Sequence, residues 1–213
     1  MKKGLSIIIN ILLFAVILLL AWQVVKSIQA PIKFNHEKST REAQVVERLM
    51  DIRNAEVLYK QANNKYTASF DTLIQFCQTA EIPIVKIVPD PTDTTFTRTI
   101  NDTLGYVKVM DSLKGSREQF DITKINLVPF SEPQKDFEIE AGSIKRNGID
   151  IPVFEVRTPY EVYLANTGGA FSDKEWKQRV DNAKAEKESI DRYAGLKVGS
   201  MEEATTDGNW EKL

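Results

Sequence analysis

Cysteine and histidine are scarce in this 213-residue chain, which has one of each, Cys77 and His36. A single cysteine excludes an intrachain disulfide. One cysteine and one histidine are too few ligands for a His/Cys zinc site. A histidine-based catalytic triad would have only His36, which follows an apolar N-terminal run and precedes the region predicted to fold. The sequence therefore argues against metal-dependent and histidine-dependent enzymes.

Glycine-rich phosphate loops and a surplus of positive charge are also missing. Neither G-x-x-x-x-G-K-[ST] nor G-x-G-x-x-G occurs, and Gly168-Gly169 is typical of a turn. Lys and Arg number 28 against 30 Asp and Glu, and no basic stripe is visible, so nucleic acid is not expected as a partner. Asp90, Asp93 and Asp102 are close in sequence, but their spacing matches no calcium loop. We predict a protein that is not an enzyme and has no cofactor or metal.

An uncharged apolar run extends from Ile7 to Val25. Roughly 20 such residues, at about 1.5 Å each, cross a hydrocarbon core of about 30 Å. Lys2 and Lys3 precede the run, Trp22 suits the membrane interface, and Lys26 is placed to reach outward from it. The run predicts a single-pass transmembrane anchor at 1–30, with the lipid bilayer as a partner.

A cleaved signal peptide is the alternative to an anchor. Its apolar core has about 7–15 residues and precedes small residues at the cleavage site. This run is longer, and the KSIQAP segment after it is a poor match. The distribution of Lys and Arg does not favour a cytoplasmic N-terminus, because more of these residues follow the span than precede it. A short basic tail before an apolar run is nevertheless typical of an uncleaved export signal, so we predict an inner-membrane protein with a periplasmic C-terminal domain.

The segment 31–66 has the pattern of an amphipathic helix that ends at Asn63-Asn64. Pro31 is predicted to break or kink the chain before it. Glu56 interrupts the apolar series. Either this stripe packs on the chain's own domain or it forms an assembly surface for a partner or another copy. The candidate assembly residues are Val45, Leu49, Ile52 and Tyr59.

Two shorter helices are predicted from their N-caps. Ser69 or Asp71 caps the first, whose apolar side includes Cys77 as a core residue rather than a nucleophile. Ser172 caps a charged C-terminal helix. Gly195 is predicted to end this helix by adopting a left-handed backbone conformation. An irregular tail is expected after it.

Strand signals fill the middle of the chain. The dipeptide Asn147-Gly148 predicts a hairpin turn. Pro83 and Pro152 each indicate an edge strand, and 101–105 is predicted to connect two strands. The predicted strands are Ile82–Val88, Thr95–Ile100, Tyr106–Met110, Lys124–Phe130, Phe137–Ala141, Ile149–Val156 and Tyr160–Leu164.

Together these patterns predict an α+β fold. Its parts are a transmembrane anchor at 1–30, an amphipathic juxtamembrane helix at 31–66, a mainly antiparallel β domain at 67–170, and a C-terminal helix with a tail at 171–213. The amphipathic helix is expected to pack on the small sheet.

The N-terminal residues Lys2-Lys3-Gly4-Leu5, followed by the apolar run, resemble the start of type IV pilins and type II secretion pseudopilins. The later segment 64–73 is similar to the turn by which the helix of that family enters its head. The resemblance covers about the first third of the chain, a span set by the two helical patterns. It implies leader cleavage between Gly4 and Leu5, and self-assembly through the N-terminal helix. The family usually has a glutamate five residues after the cut, where this chain has Ile9.

A second resemblance concerns modification. Four Asp-Ser/Thr sequences match the short D-[ST]-x pattern of a bacterial O-glycosylation system, and the alternative is chance in a Thr-rich region. The candidate acceptors are Thr72, Thr94, Thr103 and Ser112.

The sequence thus favours a structural or assembly subunit of a bacterial cell envelope. The second interpretation is a membrane-tethered binding module whose sheet and 90–105 loop meet a partner.

Overall fold

A single helix, α1 (Lys2–Asn63), contains 62 residues and is about 93 Å long at 1.5 Å per residue. The computed structural model describes residues 2–89, 99–165 and 171–211. The predicted break at Pro31 does not occur, because proline removes one hydrogen bond while the bonds on either side persist. One turn later, Phe34 packs edge-on against Trp176 with ring centroids 5.1 Å apart, which ties the helix to the head.

The end of α1 follows the sequence signals. Asn64 adopts a left-handed conformation with φ 57°, and its N–H donates to the Lys60 carbonyl at 2.8 Å. Helix α2 (Phe70–Thr79) begins after Ser69, whose side chain accepts the N–H of Thr72 as predicted. Helices α3 (Val109–Lys114), α4 (Tyr160–Tyr163) and α5 (Asp173–Glu188) complete the helical part. Ser172 caps α5 through a reciprocal capping box.

Strands β1 (Glu81–Pro89) and β2 (Thr99–Lys108) form a two-stranded antiparallel ribbon. The predicted connector 101–105 lies inside β2. A bulge at Leu104 absorbs one extra residue, so that Gly105 still pairs with Ile84 and Thr103 with Val85. Of the predicted strand at 95–100, residues 95–98 lie outside the described residues.

A second sheet has the order β3 (Glu138–Arg146), β4 (Ile149–Pro159), β5 (Gly195–Gly199), and it is antiparallel throughout. Asn147 (φ 53°) and Gly148 (φ 80°) form the tight turn that the sequence predicted. Strand β4 is central, so the edge prediction from Pro152 is wrong for the strand. The proline is tolerated because β5 pairs only with 155–159, beyond it.

Three local predictions fail. The segment 124–130 is not a strand: Lys124 ends a 3₁₀ turn (Ile122–Lys124), and only Leu127 forms an isolated bridge. The segment 160–164 is helical, because Tyr160 and Tyr163, three positions apart, both face the core. Gly195 begins β5 instead of stopping a helix. A Cβ there would lie 2.2 Å from the carbonyl oxygen of Thr158.

The core lies between the second half of α1, the three-stranded sheet and the other helices. This arrangement confirms the predicted α+β fold, in which the amphipathic helix packs on a small antiparallel sheet. Its largest fully buried apolar side chains come from α1, α2, β4, α4, α5 and the segment between α3 and β3. They include Leu49, Ile52, Leu73, Phe154, Tyr163, Trp176, Ile122 and Ile125.

Candidate assembly surface on the long N-terminal helix

The first half of α1 is apolar on every side and exposed. Large apolar side chains whose burial is described between Ile7 and Ile32 are 46–67% exposed. Its most apolar 18-residue window has a mean hydropathy of 2.4 and no residue buried against the rest of the chain. A helix that is hydrophobic all round belongs in a membrane or in the core of a larger assembly. Among the described residues, α1 is the one helix long and apolar enough to cross a membrane.

The second half of α1 is an element of the head. Val45, Leu49 and Ile52 are fully buried in the chain's own core. Tyr59 is half-buried and packs edge-on against Phe76, with ring centroids 5.0 Å apart. Of the two alternatives for this stripe, the first therefore holds: it packs on its own domain, and its three fully buried residues leave no surface for a partner.

The outward face of this second half is mostly polar. Residues at helical spacing that remain exposed include Gln44, Glu47, Met50 and Asn54. Apart from Met50, the large exposed apolar side chains of α1 therefore lie in the half before Phe34.

A buried cation marks the junction of the two halves. Arg41 is only 4% exposed. Its Nε donates to Glu37 Oε1 at 2.8 Å, and Nη1 donates to the carbonyl of Tyr163 at 3.3 Å. The guanidinium also lies 5.2 Å from the ring centroids of both Phe130 and Trp176. These contacts give the charge hydrogen bonds and cation–π partners in place of water.

Glu56 is a buried carboxyl on the same stripe, with no exposed surface. Its Oε2 accepts the N–H of Thr67 at 3.1 Å, whereas Oε1 has no hydrogen-bond partner among the described residues. Burial raises the pKa of Glu56 from 4.5 to about 8, and the Thr67 hydrogen bond opposes this rise. Glu56 is therefore mostly protonated at neutral pH.

Cys77 is fully buried, as its place on an apolar helix face predicted. Burial raises its pKa to about 12, and the charge of Glu56 acts in the same direction. The thiol therefore stays protonated and unreactive at physiological pH.

A bidentate ion pair connects α1 to the segment after α3. Arg117 donates to both carboxylate oxygens of Asp51, at 2.7 and 2.9 Å, and to the carbonyl of Leu113 at 2.8 Å. Its guanidinium lies 4.6 Å from the ring centroid of Phe120. The hydrogen bond to Asp51 is the main cause of the raised pKa of Arg117. This contact fixes the rotation of α1 relative to the head.

Sequence reasoning missed the roles of Arg41 and Glu56. It counted the first as a charge after the membrane span and took the second as an interruption of the stripe. The signal was their position: Arg41 lies four residues before Val45, and Glu56 lies four after Ile52. Both therefore fall on the buried face at helical spacing.

The other predicted site residues are distributed over the chain. Gly4 and Leu5 lie within α1. Thr72, Thr103 and Ser112 are exposed on α2, β2 and α3, whereas Thr94 lies outside the described residues. Glycosylation at these positions and cleavage before Leu5 stay predictions.

In the described ranges, no group of three or more His, Cys, Asp or Glu side chains is arranged to hold a metal ion. The feature that stands out is α1, which is apolar and exposed before Phe34 and built into the head after it. No family model, curated protein or solved structure matches this chain.

Proposed function

We propose that this chain is a single-pass membrane protein that serves as a pilin-like structural or assembly subunit of a bacterial cell-envelope system. The observation that carries the proposal is the uninterrupted helix α1. It changes from exposed and apolar on every side to buried on an antiparallel sheet, without a linker between the two parts. Resemblance of the N-terminal residues to type IV pilins and pseudopilins agrees with this geometry.

Rigid attachment of the head supports an assembly role. Phe34 is 5% exposed and contacts Trp176, and Arg41 lies near two aromatic rings about two turns later. The head therefore has a set position and rotation on the helix. A subunit that packs side by side with its copies needs such a fixed relation, and α1 supplies it because a continuous helix, not a flexible linker, joins its two halves.

The apolar half of α1 supplies the proposed contact surface. Its leucine and isoleucine side chains project in every direction, so they are equally suited to lipid and to a neighbouring helix. Ile9 stands where the family has a glutamate, so packing between copies would rest on shape and not on a buried charge pair.

N-terminal sequencing of the mature protein from native membranes tests the pilin-like part of the proposal. We expect the first residue to be Leu5. A mature protein that begins at Met1 would contradict leader processing.

In-membrane crosslinking tests assembly. Because Cys77 is fully buried, a second cysteine introduced as Leu12→Cys or Ile17→Cys would be the main reactive thiol. We expect disulfide-linked dimers when the native membranes are oxidised. The matched control is Asn147→Cys at the β3–β4 turn, which should stay monomeric. Equal crosslinking at all three positions, or none at any, would argue against assembly through α1.

The second candidate function is a membrane-tethered binding module, and the β1–β2 ribbon favours it. Ile84, Val85, Leu104 and Tyr106 are 47–69% exposed on a ribbon that has two strands within the described part of the chain. Exposed apolar side chains on an isolated ribbon are typical of a protein-contact surface. If this is the main function, Tyr106→Lys should abolish capture of a protein partner from the envelope, while the Leu12→Cys and Ile17→Cys chains should form no disulfide-linked dimers.

A further inference from the structure

The first turns of α5 lie beside α1 at the point where its apolar run ends. Lys26 Nζ is 3.8 Å from Glu175 Oε1, and Lys26 follows directly after Val25. A groove of about 380 Å³ opens between the two helices. Its lining includes Trp22, Lys26, Lys33, Phe171, Glu175 and Arg179.

The position of this groove along α1 matches the level of lipid headgroups. A hydrocarbon core of about 30 Å takes roughly 20 residues of helix, and the headgroup layer adds about 5–8 Å on each side. The run from Ile7 to Val25 fits the core, and the next residues, Lys26 to Ala30, rise through about 6 Å. Trp22, at the inner end of the groove, is the residue type enriched at this interface.

The charge of the groove is positive. Lys26, Lys33 and Arg179 line it together with a single carboxylate, Glu175. Two of these cations also lie near aromatic rings, since Lys26 is 5.8 Å from the Trp22 ring centroid and Arg179 is 5.4 Å from that of Phe171. An excess of cations beside aromatic rings at an interface suits the phosphate of an anionic lipid.

We propose that the groove between α1 and the start of α5 receives the headgroup of an anionic phospholipid and seats the head directly on the bilayer. The proposal depends on α1 crossing a membrane and is independent of assembly. A chain that never polymerises would still bind lipid here. Continuity with the membrane-spanning half of α1 is the reason to assign the groove to a lipid and not to a soluble phosphate.

The test uses the full chain reconstituted in phosphatidylcholine vesicles that contain a small fraction of spin-labelled lipid. The motionally restricted lipid signal gives the preference for spin-labelled phosphatidylglycerol over spin-labelled phosphatidylcholine. We expect a clear preference for phosphatidylglycerol in the unmodified chain. The double variant Lys33→Gln/Arg179→Gln should lose it, by about fivefold for each cation neutralised at low salt.

The matched control removes two cations from the other end of the head. Lys145 and Arg146 are exposed next to the β3–β4 turn. This hairpin lies far from the groove. Ile151 and Pro152 of β4 line a small pocket together with Lys60, which is in the last turn of α1. Lys145→Gln/Arg146→Gln should therefore retain the preference.

Several results would overturn the proposal. These are an unchanged preference in the groove variant, an equal loss in the control, or suppression of the preference by millimolar glycerol phosphate, which would indicate a soluble ligand. If the double variant proves unfolded by near-ultraviolet circular dichroism, the exposed single variant Lys33→Gln gives the same comparison. If the unmodified chain failed to co-float with vesicles, this result would contradict the membrane span on which the proposal depends.

Discussion

The buried carboxyl Glu56 makes the stability of the head depend on pH in a direction opposite to that of most carboxylates. Its pKa is about 8 in the folded chain and returns to its ordinary value of 4.5 on unfolding. Between these values the unfolded state loses the proton and the folded state keeps it. The contribution of this group is therefore fully present below pH 4.5 and is lost as pH rises through 8.

The size of the effect follows from linkage. The free energy of unfolding falls by up to about 1.4 kcal/mol per pH unit between the two pKa values. Between pH 5 and 8 this amounts to roughly 4 kcal/mol, a large part of the stability of an ordinary domain.

The substitution Glu56→Gln isolates this contribution. The amide oxygen keeps the acceptor for the Thr67 N–H, while the amide nitrogen cannot ionise over this range. Burying that nitrogen without a partner costs about 1–3 kcal/mol, but this cost does not change with pH. We therefore expect the variant to gain stability relative to the unmodified chain as pH rises, whatever the offset at pH 5.

Urea denaturation of the full chain in detergent micelles at pH 5, 6, 7 and 8 measures the difference. The fluorescence of Trp176, which is 2% exposed, reports unfolding of the head. Glu118→Gln, at an exposed position, is the control. Its free energy of unfolding should change with pH in the same way as that of the unmodified chain. If the free energy of unfolding of Glu56→Gln changed with pH in the same way as that of the unmodified chain, the assignment of a protonated buried carboxyl would be refuted.

Three further substitutions test the core and its ion pairs by the same denaturation assay. Leu49→Ala should cost about 2–5 kcal/mol, because it leaves a cavity under α1; a loss below 1 kcal/mol would contradict full burial. Asp51→Asn removes the bidentate partner of the half-exposed Arg117 and should cost only about 1 kcal/mol, less at high salt. Arg41→Lys keeps the charge but loses the planar contact with two rings, so a cost of about 1–3 kcal/mol is expected, and no change would show that charge alone matters.

Local signals in the sequence predicted the elements whose cause is local. Ser69 and Ser172 cap helices through their own side chains, and Asn147-Gly148 forms a turn from its own backbone preferences. The long apolar run and the buried stripe of α1 were likewise visible as periodic patterns.

Elements that depend on distant contacts were missed. Strand β5 has only five residues and no alternating pattern of its own, and it exists because β4 offers it a pairing edge. The helical turn at Tyr160–Tyr163 depends on burial of two tyrosines against the core. The bridge at Leu127 likewise requires Asp136 from the next segment.

Arg41 and Glu56, two of the buried polar residues of α1, explain why the head occupies one position on the helix. A slide by one turn along the sheet would disturb the fitted packing of the apolar stripe but would still leave leucine and valine among apolar neighbours. Such a slide of about 5.4 Å would take Arg41 away from the carbonyl of Tyr163 and Glu56 away from the N–H of Thr67 at the same time. A buried charge and a buried backbone donor would then lack partners, which costs several kcal/mol. The pair thus holds the head at one height above the apolar run, and that height determines whether α5 meets the membrane surface at Lys26.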